Sequence, residues 1–157
     1  MTTRLRLRAL PNRNSAAYFV YLIDWLMGAI IPRFSQKEAL SVKEITTVDE
    51  ARDLIAGTRQ APTLLFKHST TCPISARAAM RVQDFIETAP ENAPPIHLIK
   101  VIESRAVSNA VAADLGVTHQ SPQMILVSGG KAVWDASHGN ITPAAIEEAI
   151  RAHLVSR

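Results

Sequence analysis

The chain has 157 residues, 47% of them hydrophobic and 20% charged, with nine prolines and six glycines. That is a globular composition, long enough for one compact domain and some more. Its formal charge of +3 owes much to Arg4, Arg6, Arg8 and Arg13, and from Val42 onward no basic stripe with interleaved aromatics supports nucleic-acid binding. A single cysteine excludes an internal disulfide, which suits a reducing, cytoplasmic setting.

Residues 1–41 read as an N-terminal extension and 42–157 as the domain. Residues 1–15 hold four arginines and no acid, and an apolar stretch over 16–31 follows, broken by Asp24 and closed by Pro32-Arg33. Basic then apolar is the order of an export signal, yet no small-x-small cleavage site follows Ile31. The stretch is short of the roughly 20 apolar residues a membrane span needs, and Asp24 would lie near its middle. An organelle transit peptide also has this composition. So does an interfacial helix with Tyr18, Tyr21 and Trp25 at the headgroups. With Met27 as an alternative start, the segment can also be read as a leader outside the functional protein.

From residue 42 the pattern alternates. Residues 42–46 form a short candidate strand, and Thr47-Val48-Asp49-Glu50 is a capping box opening a helix with Val48, Ala51, Leu54 and Ile55 on one face. Gly57 marks its stop. After Pro62, the compact apolar run 63–66 predicts a buried strand. A helix follows from Cys72 or Pro73 to about Glu87, with Pro73 in the first turn, where a missing amide hydrogen does no harm. Residues 96–102 form another strand, and Ser104 caps a helix through Val107, Ala110, Val111 and Leu115 that ends at Gly116.

The rhythm then changes. Strands at 123–127 and 131–136 flank Ser128-Gly129-Gly130, a hairpin signal because such turns need positive φ. Thr142-Pro143 opens a last helix with Ile146, Ala149, Ile150 and Leu154 on one face. The order β-α-β-α-β-α-β-β-α predicts an α/β fold, a mixed β-sheet with helices on both faces.

The chemistry is expected where strand meets helix. Thr70-Thr71-Cys72-Pro73-Ile74-Ser75 places Cys72 at a helix N-terminus, where free amides and the helix dipole favour an anion, and a thiolate is the nucleophile. Lys67 and His68 add positive potential. Ser75, one turn on, faces the sulfur and can hydrogen-bond to it but cannot complete a disulfide, so chemistry stops at a mixed disulfide until an external thiol resolves it. A lone cysteine is by default a small buried hydrophobe. The helix start, the proline after it and a later Ser121-Pro122 ahead of a strand argue otherwise. In this element order Pro122 lies beside the cysteine helix, and a cis Ser121-Pro122 bond would expose the Ser121 backbone to an extended thiol substrate.

Other candidates are weaker. His68, His97, His119, His138 and His153 are scattered without metal-ligand spacing, so no metal site is expected. His138 reads as a surface-loop histidine. Ser128-Gly129-Gly130-Lys131 joins two strands and opens no helix, which argues against a phosphate cradle. Glu103 and Asp114 form no carboxylate pair, and Trp134 and Phe66 read as core.

Several separate motifs carry a family resemblance. Element order, Cys-Pro-x-Ser and the later Ser-Pro resemble the thioredoxin superfamily. More narrowly, the run Phe66-Lys67-His68-Ser69-Thr70-Thr71-Cys72-Pro73-Ile74-Ser75 resembles the monothiol bacilliredoxin (YtxJ-like) family. So do Val101-Ile102-Glu103-Ser104-Arg105 through Ser108-Asn109-Ala110, Ser121-Pro122-Gln123 and Ala132-Val133-Trp134-Asp135-Ala136-Ser137-His138. The match spans roughly 43–155, and the family pattern lacks the N-terminal extension. The resemblance implies a thioredoxin-like fold and removal of bacillithiol from S-bacillithiolated proteins. Cys72 then corresponds to the reactive cysteine and Pro122 to the superfamily's cis-proline. Thr71, Pro73, Ile74, Ser75 and Lys67 would support the site, and Ser121 and Pro122 would bind substrate. Bacillithiol would serve as co-substrate with no tightly bound cofactor, its carboxylates met by Lys67, Arg77 and Arg105. Two rivals stand beside this reading: a non-catalytic thioredoxin-fold interaction module tethered to a membrane through 16–31, and a monothiol partner for glutathione or another thiol.

Overall fold

The structure is a computed structural model that describes residues 42–154; the expectations for residues 1–41 lie outside it. Strand β1 (Val42–Glu44) is shorter than expected, although the Ile45 amide still donates to the Leu98 carbonyl at 2.8 Å. The capping box is displaced by one residue. Thr47 is the N-cap and its hydroxyl accepts from the Glu50 amide, but the Glu50 carboxylate reaches back to the Thr46 amide, at 3.2 Å. Helix α1 (Val48–Gly57) ends through Thr58, whose hydroxyl donates to the Ile55 carbonyl at 2.6 Å, so Gly57 is only its last helical residue.

Next come β2 (Thr63–His68), α2 (Pro73–Thr88), β3 (Ile96–Lys100) and α3 (Arg105–Leu115). They are followed by β4 (Gln123–Ser128), β5 (Lys131–Ser137), a 3-10 turn (His138–Asn140) and α4 (Pro143–Leu154). Ser104 is the N-cap of α3, but its hydroxyl makes no capping bond; its amide donates instead to the Lys100 carbonyl at 2.8 Å. Gly116 ends α3 in the left-handed region at φ 65° with open space around a would-be Cβ. The cost of a side chain there is backbone alone, so Gly116→Ala is expected to destabilise by about 1–2 kcal/mol, read as a lower urea midpoint.

The five strands lie in the order β1-β3-β2-β4-β5, with β1, β3 and β2 parallel and β4 and β5 antiparallel. The β4–β5 turn is Gly129-Gly130, both at positive φ (63° and 78°), and both amides donate to Thr58, one to its carbonyl and one to its hydroxyl. Period-2 alternation divides the core. Leu64, Phe66, Ile96, Met124 and Leu126 pack under α2 and α4 through Ala78, Val82, Phe85 and Ile146. Leu65, Ile99, Ile125 and Val127 pack under α1 and α3 through Ala51, Ile55, Val107 and Val111. This is a thioredoxin-like mixed sheet with helices on both faces. Among the described residues no helix is long and apolar enough to cross a membrane.

Candidate active site

The central strand β2 is buried from Thr63 to Lys67, and the chain leaves it at His68 for a short loop that ends at Cys72. Cys72 is the N-cap of α2 in extended conformation (φ −98°, ψ 121°), and its side chain makes no capping bond. The thiol is free and half-buried, while the Cys72 carbonyl accepts from the Ala76 amide at 3.0 Å. Pro73 follows at the first helical position. Thr71 and Ile74 on either side are exposed, Ile74 by 54%.

Two side chains pin the loop. The Ser75 hydroxyl accepts from the Ser69 amide at 2.9 Å and Ser75 is fully buried; the Thr70 hydroxyl donates to the Glu103 carboxylate at 2.8 Å. A backbone amide and then Thr70 hold the Glu103 carboxyl below its ordinary value. The Ser75 hydroxyl therefore meets the Ser69 amide rather than the sulfur. One helical turn brings Ser75 under the loop, where an unpaired amide is the stronger claimant.

Lys67 departs further from the expectation. It is fully buried, and alternation along β2 places it beside Leu65, on the α1/α3 face. Its Nζ lies 3.2 Å from His119 Nδ1, and burial pushes the ammonium down to about 8. A group so covered cannot meet a solvent-borne carboxylate, which leaves Arg77 and Arg105, both exposed. His68 stacks obliquely on Phe66, ring centroids 5.7 Å apart, and its Nδ1 is buried without a partner.

Ser121-Pro122 is a cis peptide. Gln123 pairs with Lys67 across β4 and β2, so residues 121 and 122 lie past the end of β2 from which the chain departs for Cys72. The Pro122 carbonyl accepts from the His138 amide at 3.1 Å, and the Ser121 hydroxyl is buried without a partner. His138 is exposed, with φ 55°. Its turn is held to α2 by Arg81, whose Nη1 donates to the Gly139 and Ile141 carbonyls at 3.3 and 3.5 Å. The backbone role of His138 and the Arg81 tether were not read from the sequence. Neither was Gln123, fully buried at the head of β4, though a glutamine opening an apolar strand was a usable signal.

A family model described as monothiol bacilliredoxin BrxC matches residues 43–146. Among solved structures, a candidate oxidoreductase with a thioredoxin fold is similar at 28% identity and a TM-score of 0.60, covering 69% of this chain and 92% of that one. Mitochondrial thioredoxin 3 from Saccharomyces cerevisiae is 20% identical with a TM-score of 0.54, covering 71% of this chain and 94% of its own. Thioredoxin from Trypanosoma brucei brucei is 13% identical with a TM-score of 0.60, covering 77% and 97%. The last two likenesses are ones of fold.

Proposed function

The chain belongs to the monothiol bacilliredoxin family, and from that premise we propose that it removes bacillithiol from S-bacillithiolated proteins through a mixed disulfide on Cys72. A thiol redox function follows from the family itself. The observation that carries the finer reading is the free, half-buried sulfur at the N-cap of α2, unclaimed by the helix it starts.

The Cys72 thiolate attacks the bacillithiol sulfur of the client's mixed disulfide. The S–S bond breaks, the client cysteine departs as a thiolate and takes a proton, and a Cys72–bacillithiol disulfide forms. A second bacillithiol thiolate attacks the bacillithiol sulfur of that disulfide and expels the Cys72 thiolate. Bacillithiol disulfide leaves. One disulfide is consumed and one produced, so the client is reduced and bacillithiol oxidised. Only one cysteine is in the chain, so resolution has to come from outside.

The neighbours fall into roles under this reading. Thr71 and Ile74 flank the sulfur on the surface, and Ile74 offers apolar contact to a client. Pro73 starts α2 without wasting an amide, Ser75 fixes the loop, and Lys67 supports the sheet end from below. Ser121 and Pro122 receive the substrate through the Ser121 backbone ahead of the cis bond. Arg77 and Arg105 face the carboxylates of bacillithiol, which acts as co-substrate. The reaction suits a reducing cytoplasm. Incubation with a client carrying one bacillithiolated cysteine is expected to leave bacillithiol on the peptide containing Cys72, read by mass spectrometry. A client released with no such adduct, at any time point, overturns the mechanism.

A further inference from the structure

The loop that carries Ser121-Pro122 hangs from side chains that take no part in the bond-making steps of the proposed reaction. His119 lies in the connection from α3 to β4, and its Nδ1 is 3.2 Å from Lys67 Nζ and 3.3 Å from Ser108 Oγ. Lys67 and Ser108 are both buried, whereas His119 is exposed. The residues on either side are held by Gln123, whose Nε2 donates to the Thr118 carbonyl at 3.1 Å and whose Oε1 accepts from the Gln120 amide at 3.2 Å. The same Nε2 donates to Asp135 on β5 at 3.0 Å. Lys67 and Gln123 are register partners. One buried pair at the end of β2 and β4 therefore grips residues 118–120 immediately before Ser121.

We propose that His119 is a positioning residue for thiol exchange at Cys72. Through an unprotonated Nδ1 it ties the 118–121 loop to Lys67 and Ser108, and protonation of the ring releases from Lys67 the loop that receives the substrate. The proposal rests on the reading of Ser121 and Pro122 as the substrate edge.

The proton placement follows from the donors. An ammonium only donates and the Ser108 hydroxyl can do so as well, so Nδ1 has to be the acceptor and the ring proton sits on Nε2. A second proton on the ring would point an N–H at the Lys67 ammonium, and the contact would be lost. The groups facing the ring include no compensating carboxylate. Lys67 comes from β2 and Arg105 from α3, both positive, and Asp135 of β5 is engaged by Gln123. Burial, then Lys67, then Arg105 hold His119 below its ordinary value of 6.5. The tie to Lys67 is therefore complete at neutral pH and is lost as pH falls through that lowered value, while the Ser108 hydroxyl can turn to accept from the protonated ring. An exposed ring is open to solvent protons, so the release tracks bulk pH.

The test uses the full chain in three forms: wild type, His119→Ala and His119→Asn. Asparagine keeps an acceptor on the same branch as Nδ1 but takes no proton. At about pH 7.5, amide exchange over residues 118–121 is expected to rise about tenfold in His119→Ala. Transfer from a bacillithiolated client should fall about tenfold, while alkylation of Cys72 by iodoacetamide changes by less than about twofold. His119→Asn should restore exchange and transfer, and should lack the acid loss of transfer, normalised to alkylation, that wild type shows. Unchanged exchange in His119→Ala, or an acid loss in His119→Asn equal to that of wild type, overturns the proposal. Should wild type transfer no bacillithiol at all, the proposed function falls, and the exchange arms still decide whether His119 positions the loop.

Discussion

Cys72→Ser is expected to bring bacillithiol transfer down to the rate without protein while leaving the fold as stable or slightly more so. Oxygen in place of sulfur cannot form the mixed disulfide, so no intermediate replaces the lost one. The stability side follows from local geometry. Cys72 occupies an extended N-cap and its side chain caps nothing, whereas serine is among the preferred N-cap residues because its hydroxyl accepts from the amides of the first turn. The gain is up to about 1 kcal/mol, a rise of a few degrees in melting temperature. Loss of activity with an unchanged or higher melting temperature separates chemistry from folding. Transfer by Cys72→Ser at the wild-type rate would remove Cys72 from the reaction.

The second large effect concerns the buried cation. Lys67 is held at about 8 against an ordinary 10.5 by burial, so in the pH range between them the unfolded chain binds a proton that the folded one does not. Stability accordingly rises with pH there. The contribution is fully present above about 10.5 and lost as pH falls through about 8. The gap corresponds to roughly 3 kcal/mol. Lys67→Met keeps the aliphatic length without the charge, and among the described residues no carboxylate pairs with Lys67 to be orphaned. At pH 7 the variant is expected to be more stable by roughly 1–3 kcal/mol, with the difference shrinking toward zero near pH 10.5. Urea unfolding of both proteins at the two pH values reads it. A variant less stable at pH 7, or one whose advantage is the same at both, contradicts the account. The same substitution removes the partner of His119, so stability should be gained while the 118–121 amides exchange faster. That exchange of stability for function is what a buried charge near a site leads one to expect.

Most of the architecture was legible because its signals are local. The 63–66 apolar run, the paired glycines at 129 and 130 and the left-handed Gly116 each act within a few residues, where backbone geometry leaves few options. Glu50 could reach either Thr46 or Thr47, and one residue of helix entry decided between them. Ser104 sits at a helix start without capping it, because its own amide is drawn to Lys100. Ser75 was expected at the sulfur and is instead under the loop with the Ser69 amide. In each case two polar partners compete within bonding reach, and local spacing cannot rank them.

By itself the sequence determined that there is one thiol, that it starts a helix, and that nothing else in the chain can close a disulfide with it. The burial of Lys67 and its grip on His119 were decided only by the tertiary structure. Each depends on β4 pairing with β2 in one register, with Gln123 opposite Lys67. That register joins positions 56 residues apart in the chain, and the closing of both faces of the sheet by helices selects it, because a slip of one residue would turn every inward side chain outward.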